Sequence, residues 1–121
     1  HGTTFGGNPL ATAAGLAVFD IYESEHLVEN AKLKGEEFKN KLNMLRDKYP
    51  DKISDIRGAG LLIGIQVKDE LGKTVFNKLF ENKILTSLCS GNTIRIAPPL
   101  IITSGDIDLF IKTFEQIIKE I

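Results

Sequence analysis

The sequence predicts an α+β domain, and three observations carry that prediction. Apolar residues recur at intervals of three and four in four separate stretches, as in helices with one buried face. Between them stand short runs rich in β-branched residues, bounded by glycine or by Ser-Gly-Asn, as in strands and their turns. The 121 residues suffice for one modest core. The order is helix, helix, strands, helix, strands, helix.

The chain opens HGTTFGGNPLATAAG. Asn8 is a good N-cap and Pro9 suits the first helical position. Leu10, Ala13, Ala14, Ala17, Val18 and Ile21 then recur at helical spacing, predicting a helix from Asn8 to Glu23. Its alanines and Gly15 predict close packing by another backbone, from a further domain or a second subunit. Ser24 is expected to cap a second, long amphipathic helix ending near Tyr49-Pro50. Leu27, Ala31, Gly35, Phe38, Leu42 and Leu45 form its apolar stripe, and Glu29, Lys32, Glu36, Lys39 and Lys41 its solvated side.

ISDIRGAGLLIGIQVKD mixes β-branched residues with Gly58, Gly60 and Gly64, and predicts two paired strands joined or bent at glycines. Thr74 to Asn82 is helical by the spacing of Val75, Phe76, Leu79 and Phe80. ILTSL and TIRIA are short strands around Ser90-Gly91-Asn92, the second stopped by Pro98 and Pro99. Ser104 is expected to cap the last helix, whose apolar face runs from Ile107 through Phe110 and Phe114 to Ile118. Asp106 and Asp108 stand near its positive end. Repeats and low-complexity segments are absent from the sequence.

A net charge of −1 gives no electrostatic pull toward nucleic acid or a membrane surface, and no apolar run reaches the length of a membrane span. The single cysteine, Cys89, cannot form an internal disulfide and belongs to no CxxC or Cys/His cluster. A reducing, cytoplasmic setting without a metal site is expected. The chain begins at His1, with nothing before a glycine-rich loop to hold it. A piece of a longer polypeptide is therefore expected.

Three stretches are candidates for chemistry. Thr3 and Thr4, with Gly6, Gly7 and a helix N-terminus, could bind an anion through hydroxyls and backbone amides. The plain alternative is a capped helix behind a flexible stub. RGAGLLIG runs into a strand, whereas a pyrophosphate loop must run into a helix, so a dinucleotide fold is rejected. Arg95 lies on the strand face opposite Ile94 and Ile96, with Thr93 and Ala97. Only three arginines stand among fifteen basic residues, and arginine binds a carboxylate through two parallel hydrogen bonds. Arg46 falls on a charged helix face, leaving Arg57 and Arg95 as the informative pair. His1 lacks partner ligands, His26 belongs to a solvated helix start, and Cys89 has no nearby histidine to activate it.

Taken together, HGTTFGGNPLATAAG, IRGAGLLIGI and GNTIRIAPPL resemble, in order and spacing, the C-terminal part of class III pyridoxal-phosphate aminotransferases. The resemblance spans essentially the whole chain. Within the class, GTTFGGNPLA looks most like the acetylornithine branch, with the ornithine branch close behind.

The resemblance implies a fold-type-I subunit in which residues 1–23 end the large domain and residues 24–121 form the small C-terminal α+β domain. It implies pyridoxal 5'-phosphate as cofactor, Thr4 on the phosphate of the neighbouring subunit in a homodimer, and Thr3 bordering the substrate. Arg95, in RxxPPL, would bind a substrate carboxylate. The implied reaction moves an amino group from N-acetylornithine, or a similar ω-amino donor, to 2-oxoglutarate in arginine biosynthesis. Ornithine, 4-aminobutyrate or glutamate-semialdehyde chemistry is the nearest alternative, and a non-catalytic binding or dimerisation module the more distant one. The family's Schiff-base lysine and its ring-pairing aspartate precede the GTT motif, outside this chain. No residue here is nominated as catalytic, and the segment alone is expected to be inactive.

Overall fold

The computed structural model describes residues 2–121. Helix α1 (Pro9–Ser24) starts where its cap predicts, with the Asn8 side chain accepting from the Ala11 amide. It has no buried residue, and Leu10, Leu16 and Phe19 are 82, 63 and 68% exposed. Gly15 has open space around it. The close-packed neighbour that its small residues predict is therefore not supplied by the described residues.

The expected Ser24 cap is not formed. Ser24 remains in the last turn of α1, and the chain reverses at His26 in the left-handed conformation (φ 50°) before α2 (Leu27–Lys48). An N-cap needs an extended residue. The two helices follow too closely to leave one, since the Glu25 amide still bonds the Ile21 carbonyl. The stripe of α2 otherwise packs as its spacing requires, with Leu27, Gly35, Phe38, Leu42 and Leu45 buried.

Strands β1 (Ile53–Ala59) and β2 (Leu62–Val67) form an antiparallel hairpin. Helix α3 (Gly72–Glu81) leads to β3 (Ser87–Cys89) and β4 (Thr93–Ile96), completing an antiparallel sheet in the order β1-β2-β4-β3. The first strand of this second pair is shorter than ILTSL predicts. Pairing reaches only Ser87↔Arg95, because β4 ends at Ile96 and the prolines beyond it cannot donate.

Helix α4 (Ser104–Glu120) closes the fold. Its cap is Thr103 rather than the expected Ser104. Thr103 and Asp106 bond reciprocally in a capping box, and Ser104 falls one residue inside the helix. The Ser104 hydroxyl turns instead to Glu37 of α2, at 2.9 Å.

One core joins these elements on a single face of the sheet. Ile63, Ile65, Ile94 and Ile96 meet Phe38 and Leu42 of α2, Val75 and Leu79 of α3, and Ile107, Phe114 and Ile118 of α4. Phe110 packs edge-on to Phe38 at 5.1 Å and stacks on Phe114 at 5.7 Å. The helices thus cover one face and leave the other open. Among the described residues, no helix is long and apolar enough to cross a membrane.

Candidate functional site

Register decides what the open face presents. Arg57 of β1 pairs with Gly64 of β2, Gly64 with Arg95 of β4, and Arg95 with Ser87 of β3. Cross-strand partners point the same way, so the four form one row beyond the core. The adjacent row on this face holds Gln66, Thr93 and Cys89. The core row between them is Ile56, Ile65, Ile94 and Leu88.

The two informative arginines are engaged very differently. Arg57 donates to Asp55 Oδ2 at 3.0 Å, Gln66 Oε1 at 2.7 Å and Thr93 Oγ1 at 3.1 Å. Its guanidinium therefore ties three strands together and covers Thr93, which is buried despite lying on the open face. Arg46 pairs with Asp47. Arg95 is exposed and donates only to Ser87 Oγ, at 3.2 Å, with no carboxylate partner among the described residues. A guanidinium with unused N–H groups on an open face can bind a carboxylate from outside through two parallel hydrogen bonds.

Thr3 and Thr4 lie in the turn before α1, both exposed. The Gly6 amide donates to the Thr3 carbonyl at 3.4 Å, Asn8 Nδ2 donates to the Phe5 carbonyl at 2.7 Å, and Gly7 takes φ +75°. The Thr4 hydroxyl makes no hydrogen bond among the described residues. It stands near a helix N-terminus with no acidic residue in its first turn. A phosphate group fits such a place, since hydroxyl, amides and helix dipole all favour an anion. The loop's bonds are local, and none joins it to the sheet that carries Arg95. The chain alone does not bring the two candidate sites together.

The weaker candidates acquire no chemistry. His26 is exposed at the α1–α2 reversal, Cys89 is free and half-buried, and no group of His, Cys, Asp or Glu among the described residues could hold a metal. His1 lies outside the described residues. Sequence reasoning missed the span of Arg57 across three strands and the contact of Ser87 with Arg95, which depend on register. It also missed an apolar groove of about 690 Å³ walled by Ile84, Leu85, Pro98, Ile101 and Leu109, where Thr86 Oγ1 is buried and unpartnered.

Residues 1–118 match the family model described as aminotransferase class-III. The chain belongs to the class III aminotransferases. It is 41% identical to the acetylornithine aminotransferase of Clostridium acetobutylicum over 98% of this chain and 30% of that protein. Ornithine aminotransferase 1 of Staphylococcus saprophyticus is 36% identical over 99% of this chain and 29% of that protein. The crystal structure of acetylornithine aminotransferase from Elizabethkingia anophelis superposes with a TM-score of 0.91 at 38% identity, covering all of this chain and 31% of that one. The chain thus spans less than a third of the length of these relatives. It has the fold of a mixed helix-and-sheet part of a larger aminotransferase, and membership of the family implies pyridoxal 5'-phosphate as cofactor.

Proposed function

We propose that the polypeptide carrying this chain transfers an amino group from N-acetylornithine, or a similar ω-amino donor, to 2-oxoglutarate, in arginine biosynthesis and in a cytoplasmic setting. The observation that carries this reading is Arg95. Of the two arginines on the open sheet face, Arg57 is paired with Asp55, whereas Ser87 is the single protein partner of Arg95 among the described residues. Both acids carry carboxylates, which a guanidinium grips through two parallel N–H···O bonds.

Bound pyridoxal phosphate supplies the aldehyde that exchanges the amino group and a ring that withdraws electrons from the reacting carbon. This chain's residues bind and orient. Thr4 donates its hydroxyl to the cofactor phosphate of the neighbouring subunit in a homodimer, and Thr3 borders the substrate. Residues 1–23 belong to the large domain and residues 24–121 to the small one. The absence of any buried residue in α1 supports that division, because a helix with exposed Leu10, Leu16 and Phe19 needs a partner to cover it. The lysine that holds the cofactor lies outside residues 1–121, so this segment alone does not transaminate. Within the segment Lys34, Lys41, Lys48, Lys78 and Lys119 are engaged with carboxylates. The match to an ornithine aminotransferase favours ornithine as the second choice of donor.

Steady-state kinetics of Arg95→Lys in the full-length enzyme test this reading. Lysine keeps the charge and loses the fork, so KM rises for both acids while kcat falls less. Unchanged KM values for both would remove Arg95 from the site.

A further inference from the structure

The row on the open face places a small hydroxyl side chain on one side of Arg95 and a bare glycine on the other. On one flank is Ser87 of β3, whose Oγ accepts from the Arg95 guanidinium at 3.2 Å. On the other is Gly64 of β2, and beyond it Arg57. Arg57 is already engaged by Asp55, Gln66 and Thr93. It forms a wall rather than a second receptor. Between that wall and Arg95, Gly64 leaves the face without a side chain. A Cβ there would meet Thr93 Cγ2 at 3.3 Å and Arg57 Cγ at 3.7 Å. One methyl is nearly accommodated, but a larger side chain must rise over the row beside Arg95.

We propose that Ser87 and Gly64 are positioning and specificity residues for the Arg95 carboxylate site. Ser87 orients the guanidinium through one hydrogen bond, leaving its other N–H groups free, and the bare surface at Gly64 is the slot through which the carboxylate end of an unbranched chain reaches them. The inference rests on the Arg95 reading above and deepens it. A strand position buried on both sides would explain a glycine by packing alone. Gly64 is instead part-exposed, with β-branched and aliphatic residues at its core-facing neighbours Ile63 and Ile65. The side chain missing at 64 therefore frees space on the open face only.

The test uses the full-length holoenzyme and two readouts, the Kd of glutarate, an unreactive dicarboxylate, by calorimetry, and KM against kcat for 2-oxoglutarate. Gly64→Val, a substitution strands tolerate, is expected to weaken both glutarate binding and KM by about tenfold or more, as steric filling of a pocket does. Gly64→Ala gives a smaller change in the same direction. Ser87→Ala weakens both by about threefold to tenfold, and Ser87→Thr restores them. In Gly64→Val, Gly64→Ala and Ser87→Ala, kcat changes less than KM. If Arg95→Lys weakens glutarate while Gly64→Ala, Gly64→Val and Ser87→Ala do not, Arg95 stands and this inference is overturned. If Arg95→Lys has no effect either, the underlying reading has failed. Should Gly64→Val unfold the enzyme, Ser87→Ala with its threonine rescue decides alone.

Discussion

Gly35 of α2 lies directly against the backbone of Gly60 at the β1–β2 turn. A Cβ on Gly35 would fall inside the Gly60 peptide, closer than the 3.0 Å that real Cβ contacts respect. Gly60 itself takes φ +51°, a turn conformation that glycine adopts without strain. The helix therefore docks on the hairpin by backbone contact, and this holds the sheet beneath the core. Gly35→Ala forces the helix outward and costs about 1–3 kcal/mol, as overpacking does. Urea unfolding measures it, and an unchanged midpoint would show that the helix can slide aside freely.

Glu37 connects α2 to α4. It accepts from Lys41 and Lys34 and from the Ser104 hydroxyl, and these hold its carboxyl down from the ordinary 4.5 to about 2. Lys41 is pushed above its usual range by Asp108 and then by Glu37. A carboxyl whose pKa falls on folding stabilises the fold above its unfolded value and loses that contribution as pH drops through its folded value. The Glu37 contribution is thus present above about pH 4.5 and lost toward pH 2. Glu37→Gln is expected to flatten stability across that window. An NMR titration of Glu37 with its midpoint near 4.5 would show that the network is open in solution.

Among the described residues no acceptor engages the Thr4 hydroxyl, which the proposed reading gives to the cofactor phosphate. In the full-length enzyme Thr4→Val removes one charge-assisted hydrogen bond of about 1.5–3 kcal/mol, so cofactor retention weakens by about tenfold to a hundredfold. Dialysis followed by absorbance reads the loss directly. Equal retention by both proteins would remove Thr4 from the phosphate site.

Borohydride reduction of the full-length holoenzyme, followed by peptide mapping, is expected to find the pyridoxyl adduct outside residues 1–121. The twelve lysines of this segment should remain unmodified. An adduct on any of them would overturn both the domain assignment and the predicted inactivity of the segment alone.

Local signals in the sequence were enough for the helices and for the β1–β2 hairpin. The Asn8-Pro9 start of α1 and the stripe from Leu27 to Leu45 each depend on interactions within a few residues, and each is present as read. The misread positions were competitions between near neighbours. Ser104 and Thr103 are both able to cap α4, and the choice fell to Thr103 because Asp106 returns its bond. Ser24 could cap α2 only if an extended residue separated the helices, and the chain reversed at His26 instead.

The sequence by itself determined the α+β class, the family, and the choice of Arg95 and the threonine loop as candidates, since these rest on residue type, spacing and motif. Only the tertiary structure decided which partners those residues have. Strand register, fixed by burial of one sheet face across segments far apart in sequence, set Arg57, Gly64, Arg95 and Ser87 in one row, engaged Arg57 with Asp55, and left Arg95 with Ser87 as its single partner among the described residues. The same folding left α1 with no buried residue. An apolar helix face finds its cover only where another surface lies against it, and that surface is set by long-range packing.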